Sequence, residues 1–341
     1  MQRAETITRR KDAVKHSLRV YALSIVARPP EWGSVRRHAG CNSCGMRVQV
    51  APCERYRLRV TTWGSGAPPH AIVLPGISAD WRGLAPQIRT LRHLGWTVHV
   101  VDLPGFALRP ALKASDANVL QLADYVARVV TGLAIPPALV LGHSLGGGVA
   151  MHLAIRHPEL VSGLALIAPV GLGVSLHWIY KLYCVPLLGR ALLRPSALSA
   201  SAIRRVLVGS RRRGDARFIA RLVRHGLSAR QRTLSARAII WANQPRRWRK
   251  ARALLPGGEQ LGIRIDGPLT KLSRIPALVL WGDEDRVISA SDARRCKELP
   301  LAQVRIAHGV GHSLPLEVPA WANDHIAKFV SALTRPEKRA A

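Results

Sequence analysis

The chain has 341 residues, 48% of them hydrophobic and 5% aromatic, which is enough for one large aliphatic core. No apolar run approaches the roughly 20 residues that a membrane-spanning helix needs. VYALSIVA, set behind a polar basic start, is too short and too late for an export signal, so the expected location is cytoplasmic. The formal charge of +31 is unevenly spread: +9 in residues 1–60, +2 in 61–160, +19 in 161–275 and +1 in 276–341. Such a field concentrates anions, whether small substrates or an anionic membrane surface, and peripheral contact with such a surface is one expectation. Arginine far outnumbers lysine, so an arginine-heavy composition on solvated faces is the other reading.

Residues 1–54 show no sustained period of 2 or 3.6 and read as an irregular basic arm. Cys41, Cys44 and Cys53, with His38 nearby, lack the second close pair of a structural zinc site, so no metal is expected. Residues 55–170 read as the first part of an α/β core. YRLRVTTW alternates as a half-buried strand, and AIVLPG is a continuous apolar run suited to a strand buried on both faces. LAPQIRTLRHLGW follows as an amphipathic helix closed by Gly95, then TVHVVDLPG as another buried strand. NVLQLADYVARVVTGL is a helix with Leu120, Ala123, Val126, Ala127 and Val130 on its apolar face. ALVLGHS, GGGVAMHLAIRHP and LVSGLALIAP continue the alternation as strand, helix and strand. Residues 171–271 interrupt it and read as an inserted, mostly helical lid, both apolar (Trp178, Ile179, Tyr180, Leu182) and basic. Residues 272–334 resume the core with the strands PALVLWGDED and AQVRIA and a closing helix from Pro319. Alternation at this spacing calls for a mostly parallel central sheet with helices on both faces.

GHSLG at Gly142–Gly146 is the pattern G-x-S-x-G, and its context gives it weight. An apolar strand runs into it and a helix leaves it, which is the setting of a nucleophile elbow. Ser144 would then stand exposed at the carboxyl edge of the sheet, with a helix N-terminus behind it. From this point the chain resembles the α/β-hydrolase superfamily of lid-bearing esterases and lipases, from about Tyr56 to Val330 except for the lid. LPGISADW resembles the loop after the first buried strand, although Pro75-Gly76 stands where the family has His-Gly. DLPGFALRP, WGDEDRVIS and GVGHSLPLEVP resemble the family's second Gly loop, its acid loop and its histidine loop. The resemblance implies Ser144 as nucleophile, His312 as base and Asp285 as orienting acid. It also implies an oxyanion hole from the backbone N–H groups of Ile77 and Leu145, and no cofactor.

Rivals for these roles are Asp283, Glu284 and Asp102 for the acid and His308 and His143 for the base. The spacing from Gly282 favours Asp285; Asp102 reads as ordering its own loop; His308 ends a strand; His143 is expected to point away. Trp281 reads as packing, and Cys184 and Cys296 as buried thiols. The constellation points to acyl transfer to water, on a small-molecule carboxylic ester or thioester with an apolar acyl chain and an anionic end. Arg109 and Trp178 are candidates for substrate contact. Two further readings stay open: a hydrolase of carbon–carbon bonds in ring-cleavage products, and a non-catalytic basic protein that binds a membrane surface or anions on a hydrolase scaffold. No nucleic-acid module is present, so no such partner is expected.

Overall fold

A computed structural model describes residues 46–334 apart from 78, 109, 174, 176–205, 211–218, 220, 223–229 and 244–268. Eight strands form one sheet: β1 (Met46–Cys53), β2 (Tyr56–Trp63), β3 (His70–Leu74), β4 (Thr97–Val101), β5 (Ala138–His143), β6 (Val161–Ile167), β7 (Ala277–Gly282) and β8 (Ala302–Ala307). Their order is β1-β2-β4-β3-β5-β6-β7-β8. β1 and β2 pair antiparallel, as do β2 and β4, and every later pairing is parallel. The helices are α1 (Ala85–His93), α2 (Val119–Gly132), α3 (Leu145–Arg156), α4 (Arg230–Ala242), α5 (Leu314–Glu317) and α6 (Pro319–Thr334).

Strand alternation divides the core between the two faces of the sheet. On β5, Ala138 and Val140 join one cluster with α2 and α3, while Leu139 and Leu141 join another with α1 and α6. This two-sided burial is why the central strands read as unbroken apolar runs. The chain order reverses direction across the sheet beside β3 and β5, the switch point at which open α/β sheets place their sites.

Two details differ from the sequence reading. The stretch expected to be wholly irregular ends in β1, which folds back on β2 through Glu54-Arg55 and buries Ala51 and Cys53. Its alternation slips a residue at Val50-Ala51, so that Ala51 and Cys53 rather than Val48 and Val50 are the buried ones, and the pattern is legible only once β2 is there to pair with it. Leu120, expected on the buried face of α2, is 39% exposed. Val119 and Leu122 join the expected Ala123, Val126, Ala127 and Val130 on that face, with Asn118 capping the helix by accepting from the Leu120 N–H at 2.8 Å.

The insertion between β6 and β7 lies mostly outside the described residues, including Trp178 and Cys184, as does Arg109 on the loop after β4. Its helix α4 is described, and side chains fasten it to the loop between β4 and α2. Gln231 Nε2 donates to Gly105 O and Leu108 O, and Arg232 Nε to Phe106 O. Ser235 Oγ donates to Gly105 O and accepts from Leu112 N–H. Just past the helix, Asn243 accepts the Val119 N–H and donates to Ala117 O. Among the described residues, no helix is long and apolar enough to cross a membrane, and no group of His, Cys, Asp or Glu has the geometry of a metal site.

Candidate active site

The turn from β5 to α3 places Ser144 at φ 54° and ψ −117°, outside the regions that L residues ordinarily occupy. A residue held this way stores about 1–3 kcal/mol of strain and persists only when its surroundings over-determine it. Here they do. Ser144 N–H donates to Ile167 O on β6 at 2.9 Å, and Ser144 O accepts from Gly147, Gly148 and Val170 N–H at 3.0, 3.2 and 3.1 Å. The flanking glycines are a steric necessity. A Cβ on Gly142 would lie 2.5 Å from Gly146 O, and one on Gly146 would overlap Leu74 O. The strand, the helix and the end of β3 therefore meet backbone to backbone.

That contact brings the loop after β3 to the serine. Gly76 lies so close that a Cβ there would sit 3.3 Å from Ser144 Cβ and 3.4 Å from His143 Nδ1. Ile77, next in chain, is half-buried against the core, and Leu145, the first residue of α3, is 3% exposed.

From the other side of the site come the loops after β7 and β8. Asp285 Oδ2 lies 2.7 Å from His312 Nδ1, with both side chains buried. A carboxylate there accepts, so Nδ1 carries the proton and Nε2 is left available. The remaining capacity of Asp285 is filled: Oδ1 accepts the Val287 and Ile288 N–H groups at 2.8 and 3.0 Å, and Oδ2 the Trp281 indole N–H at 3.2 Å. Trp281 is thus more than the packing residue its apolar strand suggests. Its position four residues before Asp285, at the end of a strand, was the available signal.

The rivals fall elsewhere. Asp283 accepts from His308 Nδ1 and the Gly309 N–H on the surface, where His308 is largely exposed. Glu284 takes Ser210, and Asp102 pairs with Arg59 on β2 at 2.7 Å. His143, expected to point away from the serine, packs its ring on that of His312, centroids 5.1 Å apart, and its Nε2–H donates to His312 O at 3.0 Å. Its burial, with His312 adjoining, pushes its pKa down to about 3, so the ring is neutral.

The fold and this strand-turn-helix site define a hydrolase of the doubly wound type. The model of the alpha/beta hydrolase fold matches residues 72–319, and the chain belongs to that family and is a hydrolase. It is 27% identical over 282 residues to the dihydrolipoyllysine-residue acetyltransferase component of the acetoin cleaving system of Cupriavidus necator, covering 82% of this chain and 68% of that protein. It is 25% identical to 2-hydroxy-6-oxo-6-phenylhexa-2,4-dienoate hydrolase of Burkholderia cepacia, over 75% of this chain and 85% of that one. A shorter stretch of 111 residues is 39% identical to the pimeloyl-[acyl-carrier protein] methyl ester esterase of Chromobacterium violaceum, covering 33% of this chain and 40% of the relative.

Proposed function

We propose that the protein hydrolyses a carboxylic ester, or a thioester, through an acyl-enzyme on Ser144. The observation that carries this reading is the buried Asp285–His312 pair at 2.7 Å, on loops that meet the strained Ser144 turn through His143. Ser144 is a weak nucleophile until its proton is taken, and His312 Nε2 takes it as the oxygen attacks the carbonyl carbon. Asp285 holds the tautomer through Nδ1–H and stabilises the imidazolium that forms. The backbone N–H groups of Leu145 and Ile77 receive the charge that develops on the carbonyl oxygen. His312 then returns the proton to the leaving alcohol, and water repeats the sequence to release the acid. The methyl ester esterase relative supports an ester as substrate. The apolar and basic composition of residues 171–271 supports an apolar acyl chain with an anionic end.

The test is labelling by a fluorophosphonate. The parent is expected to label one to one and Ser144→Ala not at all. A folded parent that stays unlabelled removes the serine mechanism. A second reading, hydrolysis of a carbon–carbon bond beside a ketone, is supported by the Burkholderia relative. An acidic dienone ring-cleavage product, offered beside a p-nitrophenyl ester, separates the two by which is turned over faster.

A further inference from the structure

One more buried carboxylate sits among these loops. Glu317, the last residue of α5, is fully buried. Its Oε2 accepts the Gly209 N–H at 2.8 Å and the Gly311 N–H at 3.1 Å, with Oε1 3.2 Å from the same Gly311 nitrogen. Gly209 belongs to the insertion; Gly311 immediately precedes His312. On the other side of His312, the Ser313 N–H donates to Leu207 O at 3.0 Å. The histidine is therefore bracketed by two ties to residues 207–209, one direct and one through Glu317.

The joint is packed too closely for a side chain. A Cβ on Gly311 would lie 2.7 Å from Gly209 N, and one on Gly209 would overlap Gly309 O. The same segment reaches the acid loop, where Ser210 N–H and Oγ donate to Glu284 at 2.7 and 2.5 Å and Glu284 N–H donates to Val310 O at 3.0 Å. Burying a carboxylate costs several kcal/mol in effective terms unless donors are supplied, and an apolar residue would fill the space without that cost. Burial raises the pKa of Glu317, while the backbone donors and neighbouring His312 act in the opposite direction.

The geometry points to Glu317 as a positioning residue for His312, one that fastens the histidine loop to residues 206–210 so that this segment and the base are held as one unit. This rests on His312 being the base. Glu317 touches no reacting atom; it acts through Gly311. An amide in its place would keep the shape, but even with its oxygen set to both glycines its NH2 group would face the Gly311 N–H where Oε1 now lies, 3.2 Å away, which loosens the joint.

The experiment uses the full chain and compares the parent with Glu317→Gln and Gly209→Ala, the second opening the same joint from the insertion side. The readouts are the fluorophosphonate labelling rate against pH, KM for a p-nitrophenyl ester, and hydrogen exchange over residues 206–213 and 309–315. In Glu317→Gln the labelling rate is expected to fall about 10- to 100-fold, the scale of a sub-ångström to ångström misplacement. KM should stay within about threefold, because the loss is confined to the reacting geometry. The pH profile of labelling should change as well, because a buried carboxylate bonded to the histidine loop becomes a neutral amide. The Gly311 and Ser313 amides should lose protection together with residues 206–210. Gly209→Ala should reproduce the slow labelling and the lost protection, and it carries the test if Glu317→Gln does not fold. Parent-like labelling, pH midpoint and exchange in the folded variants would overturn the proposal, as would a lower melting temperature with labelling unchanged. A parent that never labels overturns the base assignment itself, and the labelling of the parent alone tells that failure from the other.

Discussion

Among the described residues, two pairs of imidazoles pack ring against ring, and one of them adjoins the serine. His70 and His99, on β3 and β4, have ring centroids 5.3 Å apart; His143 and His312 stand at 5.1 Å. In the first pair, His99 Nδ1 meets Thr62 Oγ1 at 3.0 Å and its Nε2 meets His70 Nδ1 at 3.0 Å. Both nitrogens are spent, no carboxylate among the described residues is bonded to either ring, and burial with His70 beside it brings the His99 pKa down to about 4. In the second pair, a carboxylate takes one nitrogen of His312 and leaves the other. A close ring-to-ring contact is common to both, so that contact alone does not mark a base. In the mechanism proposed above, the carboxylate on Nδ1 and a loop position with a spare nitrogen are what suit His312 to that role.

The sharpest way to break this contrast is to make the second pair resemble the first. Asp285→Asn keeps the shape but offers His312 Nδ1 an amide in place of a charge. The expected loss in kcat is about 10⁴-fold, the scale of a base held in the wrong tautomer. Steady-state kinetics on a p-nitrophenyl ester measures it, and a loss under tenfold would mean that another group orients His312.

His143→Phe keeps a ring against His312 while removing the Nε2–H donor to its carbonyl. A loss of about tenfold in kcat/KM, worth about 1.4 kcal/mol, is expected, with labelling still dependent on Ser144. No change would reduce His143 to a packing ring.

The smallest effect on activity belongs to the first pair. His99→Gln is expected to leave kcat/KM unchanged within about twofold, while altering the acid stability of the fold. Folding holds His99 below its ordinary pKa of 6.5, at about 4. Between these values the unfolded chain binds the extra proton, so stability falls as pH drops through that window, by at most about 3 kcal/mol. Thermal melts at pH 7, 5.5 and 4.5 should show a shallower loss in His99→Gln than in the parent.

The elements that the sequence made legible are those whose pattern is enforced from both sides. The four central strands are buried on two faces and so appear as continuous apolar runs, and α3 follows a motif whose glycines are fixed by backbone contact at Gly142 and Gly146. The pairing of Asp285 with His312 was legible only through the family's chain order, because 27 residues separate them and their loops are brought together by the β7–β8 pairing and by bonds between the loops themselves. β1 escaped notice since an edge strand is buried mainly where its partner covers it. The contacts of Trp281, His143 and Glu317 were not readable for one shared reason. Each acts through a hydrogen bond whose direction is set by a turn, and turns leave no period in a sequence.

The fastening of α4 bears on how this insertion can be exchanged. Its helix is bonded to the β4–α2 loop by Gln231, Arg232, Ser235 and Asn243 at backbone groups from Gly105 to Val119. A chimaera that replaced only the segment between β6 and β7 would strand those carbonyl and amide groups without partners. Transplanting a new specificity onto this scaffold therefore means carrying two stretches of chain, the insertion and the loop it was built against, as a single inherited unit.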